Sequence, residues 1–272
     1  MPVIHITKEN DEYQIIQSLK TNREKRSKLH EVFIEGIEAF KQALAAHIPL
    51  TRIIIYNYDA LSDWAKNVIR ENEGVPLLEM PFSMYKTLCD REEPVELIAT
   101  AEKKEYPLET LSLPPEPFIL IFDRPSDYGN FGSIIRSADA FGVDAVFVVG
   151  HGIDWYDSKA IRASLGAVFR KPVLQIQSMS ELEEWLCRQK EKSGMVVAGT
   201  DSTGSVSVSQ RRLIKPVSII LGNEAKGMSV ALKTLCDEII SIPMCGDVNS
   251  LNVACAGTVF LWEVFRNGIT AE

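Results

Sequence analysis

Apolar positions along this chain follow two alternating rhythms. Tyr13, Ile16 and Leu19 recur at helical spacing and predict a helix over Asp11–Leu19. A β-branched and aromatic run at Val32–Ile34 predicts a strand, and Ile37–Ala46 a helix. Three consecutive isoleucines in Arg52–Tyr56 predict a buried strand. Leu61–Arg70 reads as a helix, Val75–Leu78 as a strand, and Val95–Ala101 as the last strand of a compact α/β unit. The stretch Glu105–Pro117, EYPLETLSLPPEP, carries four prolines and predicts an extended linker.

Beyond it the alternation sharpens. Phe118–Phe122, Ala145–Val149, Met195–Ala198 and Val217–Leu221 have strand length and few polar positions. Asn130 stands in a cap position before a helix whose inner face is Ile134, Ile135, Ala138 and Phe141, with Gly142 as its stop. Glu181–Lys190 is helical. A last helix, about Leu251–Phe265, is apolar on nearly every side, as a helix in a core or a subunit interface would be. Strands alternating with helices predict an α/β fold with a mainly parallel sheet covered on both faces. The expected division is residues 1–105, a linker at 106–116, and a second domain over 117–272.

Composition narrows the class. With 272 residues and 46% hydrophobic content, the chain can bury two cores, and wholesale disorder is excluded. The longest nearly apolar run, Val253–Trp262, falls short of a membrane span, and no signal-peptide pattern opens the chain, so a cytoplasmic protein without a membrane partner is expected. Five scattered cysteines and four scattered histidines show no metal-ligand spacing, so neither a disulfide framework nor a metal site is expected. The net charge is −8. A nucleic-acid partner would therefore have to use a local patch. One exists: Lys20, Arg23, Lys25, Arg26 and Lys28 crowd together with only Glu24 opposing them. Taken alone, such a run is more often a solvated face.

Three loops after predicted strands are rich in Gly, Asn, Ser and Pro: DRPSDYGNFGSIIR at Asp123–Arg136, LGNEAKGMS at Leu221–Ser229, and IPMCGDVNSLNVA at Ile242–Ala254. Ligands of open α/β sheets bind beyond the carboxyl ends of strands. Each loop has a plain alternative: Asn130 as a helix cap, Gly222 and Gly227 as turn formers, Ser250 and Asn252 as caps of the last helix. Three such loops in one domain favour a site.

In this order the loops resemble the signature motifs of the SpoU/TrmH family of RNA ribose 2′-O-methyltransferases. Asn130, Gly132 and Arg136 match its N-x-G-x-x-x-R element, and Gly222, Asn223 and Glu224 its G-N-E element. Ile242, Pro243, Met244, Ser250, Leu251 and Asn252 match its I-P-M…S-L-N element. RASLGAVFRKPV at Arg162–Val173 also resembles a family segment. Ile16–Ala45 is similar to the family's ribosomal-protein-like substrate-binding domain, although EEPVELIAT at Glu92–Thr100 stands where relatives often carry Gln-Gly.

The resemblance implies a trefoil-knotted methyltransferase domain behind a small α/β RNA-binding domain, with S-adenosyl-L-methionine as cofactor and RNA as partner, ribosomal rather than transfer RNA. Gly199, Thr200, Leu221, Gly222, Ile242, Met244, Ser250 and Leu251 are the implied donor contacts. Arg136, Asn130, Glu224, Ser250 and Asn252 form the implied catalytic set. Arg136 acts either as a base of depressed pKa or, preferably, as an electrostatic stabiliser, because guanidinium rarely deprotonates. Asn130 would orient Arg136, and Glu224 would pair with a basic group or hold substrate. In this setting Lys20, Arg23, Lys25, Arg26 and Lys28 become RNA contacts, and the last helix suits a homodimer. Transfer-RNA methylation, a base acceptor, or an inactive RNA-binding or ribosome-assembly protein of the same fold are the alternatives.

Overall fold

The computed structural model describes residues 3–247 and 249–269. The chain forms two compact units. The first takes the described residues up to Lys104 together with Asp154–Arg170. The second takes Glu105–Ile153 and the described residues from Lys171 onward.

The first unit runs β1 (Val3–His5), α1 (Asp11–Thr21), α2 (Arg23–Leu29), β2 (Glu31–Glu35), α3 (Ile37–Ala45), β3 (Leu50–Ile55), α4 (Asp63–Glu71), β4 (Leu77–Glu79), α5 (Phe82–Leu88) and β5 (Ile98–Glu102). Its sheet has the order β1-β4-β3-β5-β2. β1 and β3 lie parallel to β4, while β5 runs antiparallel to both β3 and β2. Tyr13, Ile16 and Leu19 of α1 are buried with Phe33, Ile54 and Tyr85. Asn10 caps α1 by accepting from the Tyr13 amide, and Asn22 caps α2 by accepting from the Lys25 amide.

The second unit continues with β6 (Phe118–Asp123), α6 (Tyr128–Ala140) and β7 (Ala145–Val149). Then comes α7 (Ser158–Ala163), which belongs to the first unit, followed by β8 (Val173–Ile176), α8 (Met179–Ser193), β9 (Val196–Thr200), β10 (Val206–Ser207), β11 (Val217–Leu221), α9 (Val230–Leu235), β12 (Glu238–Ser241) and α10 (Val253–Ile269). The sheet order is β10-β12-β9-β11-β6-β7-β8, parallel at every pairing. Alternation along β6 serves both faces. Ile119 and Ile121 pack with Leu182, Trp185 and Leu186 of α8, whereas Phe122 stacks on Phe131 of α6. Burial on both sides explains why β6, β7 and β11 read as continuous apolar runs.

Two expectations change here. Asn130 is not the cap of α6. Asp127 is: its carboxylate accepts from the Asn130 amide at 2.7 Å, which places Asn130 inside the first turn. The proline-rich stretch is neither wholly extended nor free: it makes a 3-10 turn at Leu108–Thr110, and Tyr106, Leu108, Leu111 and Leu113 pack against the α8 side of the second core.

The excursion Asp154–Arg170 is anchored within the first unit by charge and by close packing. The Arg26 side chain is 2% exposed, with Nη2 at 2.8 Å from Asp154 and 3.2 Å from Asp157. Gly166 sits at φ +81°, and a Cβ there would lie 2.7 Å from the Ala39 Cα, so the turn admits only glycine.

Candidate functional site

Three loops at the carboxyl ends of β6, β11 and β12, together with Gly199 and Thr200 at the end of β9 and Arg136 within α6, carry the candidate residues of the second unit. The loop after β11 is a tight turn in which Asn223 and Gly227 exchange backbone hydrogen bonds of 3.0 and 2.9 Å. The chain folds back so closely that a Cβ on Gly222 would meet the Met228 nitrogen at 2.4 Å. The Asn223 carboxamide oxygen accepts from the amides of Ala225 and Lys226, and its Nδ2 donates to the Arg124 carbonyl at 2.7 Å.

Among the described residues Glu224 meets no basic group. Its carboxylate accepts from the Ser126 hydroxyl at 2.8 Å and from the amides of Ser126 and Asp127 at 3.3 Å, tying the second loop to the first. In the third loop, Asn252 Oδ1 accepts from the Ala254 amide at 2.8 Å and caps α10, while Nδ2 donates to Asn130 Oδ1 at 2.9 Å. Asn130 is therefore engaged by Asn252. Arg136 lies six residues further along α6, about 120° away around the helix, and no hydrogen bond joins it to Asn130 among the described residues. The Arg136 side chain is exposed and has no side-chain partner among the described residues.

Between the second and third loops lies a cavity of about 260 Å³. Thr200, Gly222, Ile242, Met244, Ser250 and Leu251, six of the eight implied donor contacts, line it. Gly199 and Leu221 do not. A Cβ on Gly199 would run into Cys236, Met228 and Ile239 at 2.6–2.8 Å, so that position faces the core, and Leu221 is buried where its side chain meets Gly257. Sequence reasoning missed Asp201 and Phe260, which also line the cavity. Lys233 donates to Asp201 at 2.6 Å and, with the Thr203 amide and hydroxyl, holds the Asp201 carboxyl down at about 2.

The lining suits an adenosine-bearing cation. Met244 and Leu251 are apolar residues of the lining that are 38% and 44% exposed, and a flat aromatic ligand in the cavity would cover part of that surface. Thr200, Asp201 and Ser250 add polar residues to the same walls, with the Thr200 hydroxyl donating to the Ile220 carbonyl at 3.0 Å and the Asp201 carboxylate held by Lys233 and Thr203. Among the described residues no cluster of His, Cys, Asp and Glu could hold a metal ion, and no helix is long and apolar enough to cross a membrane.

In the first unit the basic cluster divides. Arg26 is not an RNA contact: it is buried on Asp154 and Asp157, and Nη1 donates to the carbonyls of Leu19 and Lys20. Lys20 is also withdrawn, 2.7 Å from Asp90 with 13% of its side chain exposed. Burial raises the Asp90 carboxyl, but hydrogen bonds from Lys20 and Arg162 outweigh it and hold the group below its ordinary value. Arg23, Lys25 and Lys28 remain exposed on α2.

Residues 117–262 match the SpoU rRNA Methylase family. The chain belongs to this family. Residues 10–99 match the SpoU L30e-like domain, so both units carry SpoU signatures. A curated SpoU relative, the 23S rRNA (uridine(2479)-2′-O)-methyltransferase of Streptomyces viridochromogenes, is 34% identical over 268 residues, 98% of this chain and 93% of its own. The crystal structure of the SpoU methyltransferase AviRb from the same organism, in complex with the cofactor AdoMet, superposes with a TM-score of 0.89 at 34% identity, covering 96% of this chain and 99% of that one. An AdoMet-bound rRNA methyltransferase from Sinorhizobium meliloti gives 0.84 at 26% identity, covering 97% and 98%.

Proposed function

We propose that this chain is an S-adenosylmethionine-dependent methyltransferase that modifies a ribose 2′-hydroxyl of ribosomal RNA. The observation that carries the reading is the cavity between the second and third loops, whose walls combine exposed apolar side chains with Thr200, Asp201 and Ser250. The donor, when bound, supplies an already activated methyl group on a sulfonium. Ile242, Met244, Leu251 and Phe260 would cover its adenine, and Thr200 and Ser250 would offer it polar contacts.

The remaining task falls to the protein: to place the hydroxyl and ease loss of its proton. Arg136 is the residue for this step. An exposed guanidinium without a side-chain partner among the described residues is ready to grip the adjacent phosphate and stabilise the forming alkoxide. Asn130, Asn252 and Glu224 hold the three loops to one another rather than acting on substrate. Arg23, Lys25 and Lys28 supply phosphate contacts on the first unit. Exposed Val259 and Trp262 of α10, with Trp262 packed on Phe141 and Phe265, support a homodimer through this helix. The family resemblance supports a knotted second unit, and RNA modification suits a cytoplasmic protein.

Calorimetric titration of S-adenosylmethionine into the protein and its Arg136→Ala variant, followed by methyl transfer to ribosomal RNA and nucleoside mass analysis, tests the reading. Both proteins should bind donor. The variant should lose about 100-fold or more in transfer. A folded wild type that binds no donor would overturn the proposal in favour of an inactive RNA-binding protein, and a methylated base or transfer RNA would reassign the acceptor.

A further inference from the structure

The loop Gly222–Ser229 forms one wall of the donor cavity through Gly222, Asn223, Glu224 and Gly227. Its ends are fastened to two consecutive residues that line no part of that cavity, Asp123 and Arg124 at the end of β6. At the leading end, Asn223 Nδ2 donates to the Arg124 carbonyl at 2.7 Å. At the trailing end, the Ser229 amide donates to Asp123 Oδ2 at 2.8 Å, and Arg124 Nη2 reaches toward the Gly227 carbonyl at 3.5 Å.

Asp123 is 1% exposed. A carboxylate so placed needs a cation and further donors. Arg124 supplies the cation as a fork, with Nε at 2.7 Å from Oδ1 and Nη2 at 2.9 Å from Oδ2. The arginine stem is itself boxed in, since a Cβ on Gly150 would lie 2.7 Å from the Arg124 Cγ. The Arg124 side chain is one-third exposed, but its fork holds the Asp123 carboxylate, and that carboxylate, by accepting from the Ser229 amide, marks where α9 begins and the loop ends.

We infer that Asp123 and Arg124 are a positioning pair for the methyl-donor site, setting the shape of Gly222–Ser229 without touching the donor. The inference rests on the donor reading of the cavity given above. It adds to the machinery two residues outside the matched motif positions, and it makes the geometry of the second loop depend on the end of β6.

Two variants test it, Arg124→Met and Arg124→Lys. Donor affinity is read by calorimetry with S-adenosylmethionine and with S-adenosylhomocysteine, and loop order by amide hydrogen exchange in the donor-free protein. Arg124→Met should weaken both ligands about tenfold, the worth of one charge-assisted hydrogen bond. It should also speed exchange at Ala225–Ser229 relative to the rest of the sheet. Arg124→Lys should fall between, because an ammonium keeps the charge beside Asp123 but cannot fork. In turnover the loss should fall on the donor KM more than on kcat. Unchanged affinity together with unchanged exchange in both variants overturns the inference, as does a kcat loss at constant donor KM. If Arg124→Met fails to fold, Arg124→Lys decides alone. If the wild type binds no donor, the functional reading falls, and exchange at Ala225–Ser229 still decides whether the pair holds the loop.

Discussion

The Asn252 side-chain amide donates to Asn130 Oδ1 at 2.9 Å, closing the third loop onto the first turn of α6. Two carboxamides can keep such a bond in either orientation. Replacing either residue with Asp leaves one donor and one acceptor. Asn130→Asp and Asn252→Asp should therefore melt close to the wild type. The double variant sets two carboxylates against each other and should lose roughly 2–4 °C per kcal/mol of repulsion in calorimetric melting. A double variant as stable as the singles would show that the bridge does not matter.

Arg26 and its neighbours on α2 should separate stability from RNA binding. Arg26→Met strands Asp154 and Asp157 and should cost about 3–5 kcal/mol in denaturant unfolding. Lys25→Ala with Lys28→Ala should leave unfolding unchanged but flatten the dependence of log RNA affinity on log salt by roughly 1.4–1.8, two phosphate contacts' worth. An unchanged slope would remove α2 from the RNA surface.

The Lys233–Asp201 pair has an acid signature. The Asp201 carboxyl is depressed from 3.8 to about 2, so its stabilisation is fully present above pH 4 and is lost as the pH falls through 2. Lys233 is 41% exposed, which screens the pair, so Lys233→Met should cost about 1 kcal/mol at neutral pH. Unfolding curves of the two proteins should converge between pH 4 and 2. A gap that persists at pH 2 would assign the loss to packing.

Thiol labelling should sort the cysteines. Burial pushes the Cys89 and Cys236 thiols up to about 11, while Cys187, Cys245 and Cys255 are exposed. At pH 8 a disulfide reagent should titrate the latter three quickly, and the first two only after denaturation. Fast labelling of Cys236 would show that the α9 side of the second sheet opens readily.

Much of this fold could be read from periodicity, because β6, β7 and β11 are buried on both faces and α1 on one. Elements without an apolar rhythm escaped. Helix α2, REKRSKL, buries only an arginine, and its counter-ions lie more than a hundred residues away. The motifs located the three loops and most of the cavity lining, but roles within them depended on long-range partners. That Asn130 meets Asn252, or that Glu224 meets the amides of Ser126 and Asp127, follows from loop packing that no local spacing encodes. Asp123 opens the first loop in the sequence, and its burial beneath Arg124 is visible only in three dimensions.

The path of the chain through Asp154–Arg170 bears on how such a protein can be taken apart or recombined. The polypeptide passes between the units at Lys104–Glu105, again at Ile153–Asp154 and again at Arg170–Lys171. A cut near residue 105 therefore does not release two autonomous modules. The downstream fragment would carry Asp154 and Asp157 stripped of Arg26, and a Gly166 turn with no helix beneath it. Exchange of the amino-terminal unit between relatives would have to bring along a matching stretch from the middle of the chain.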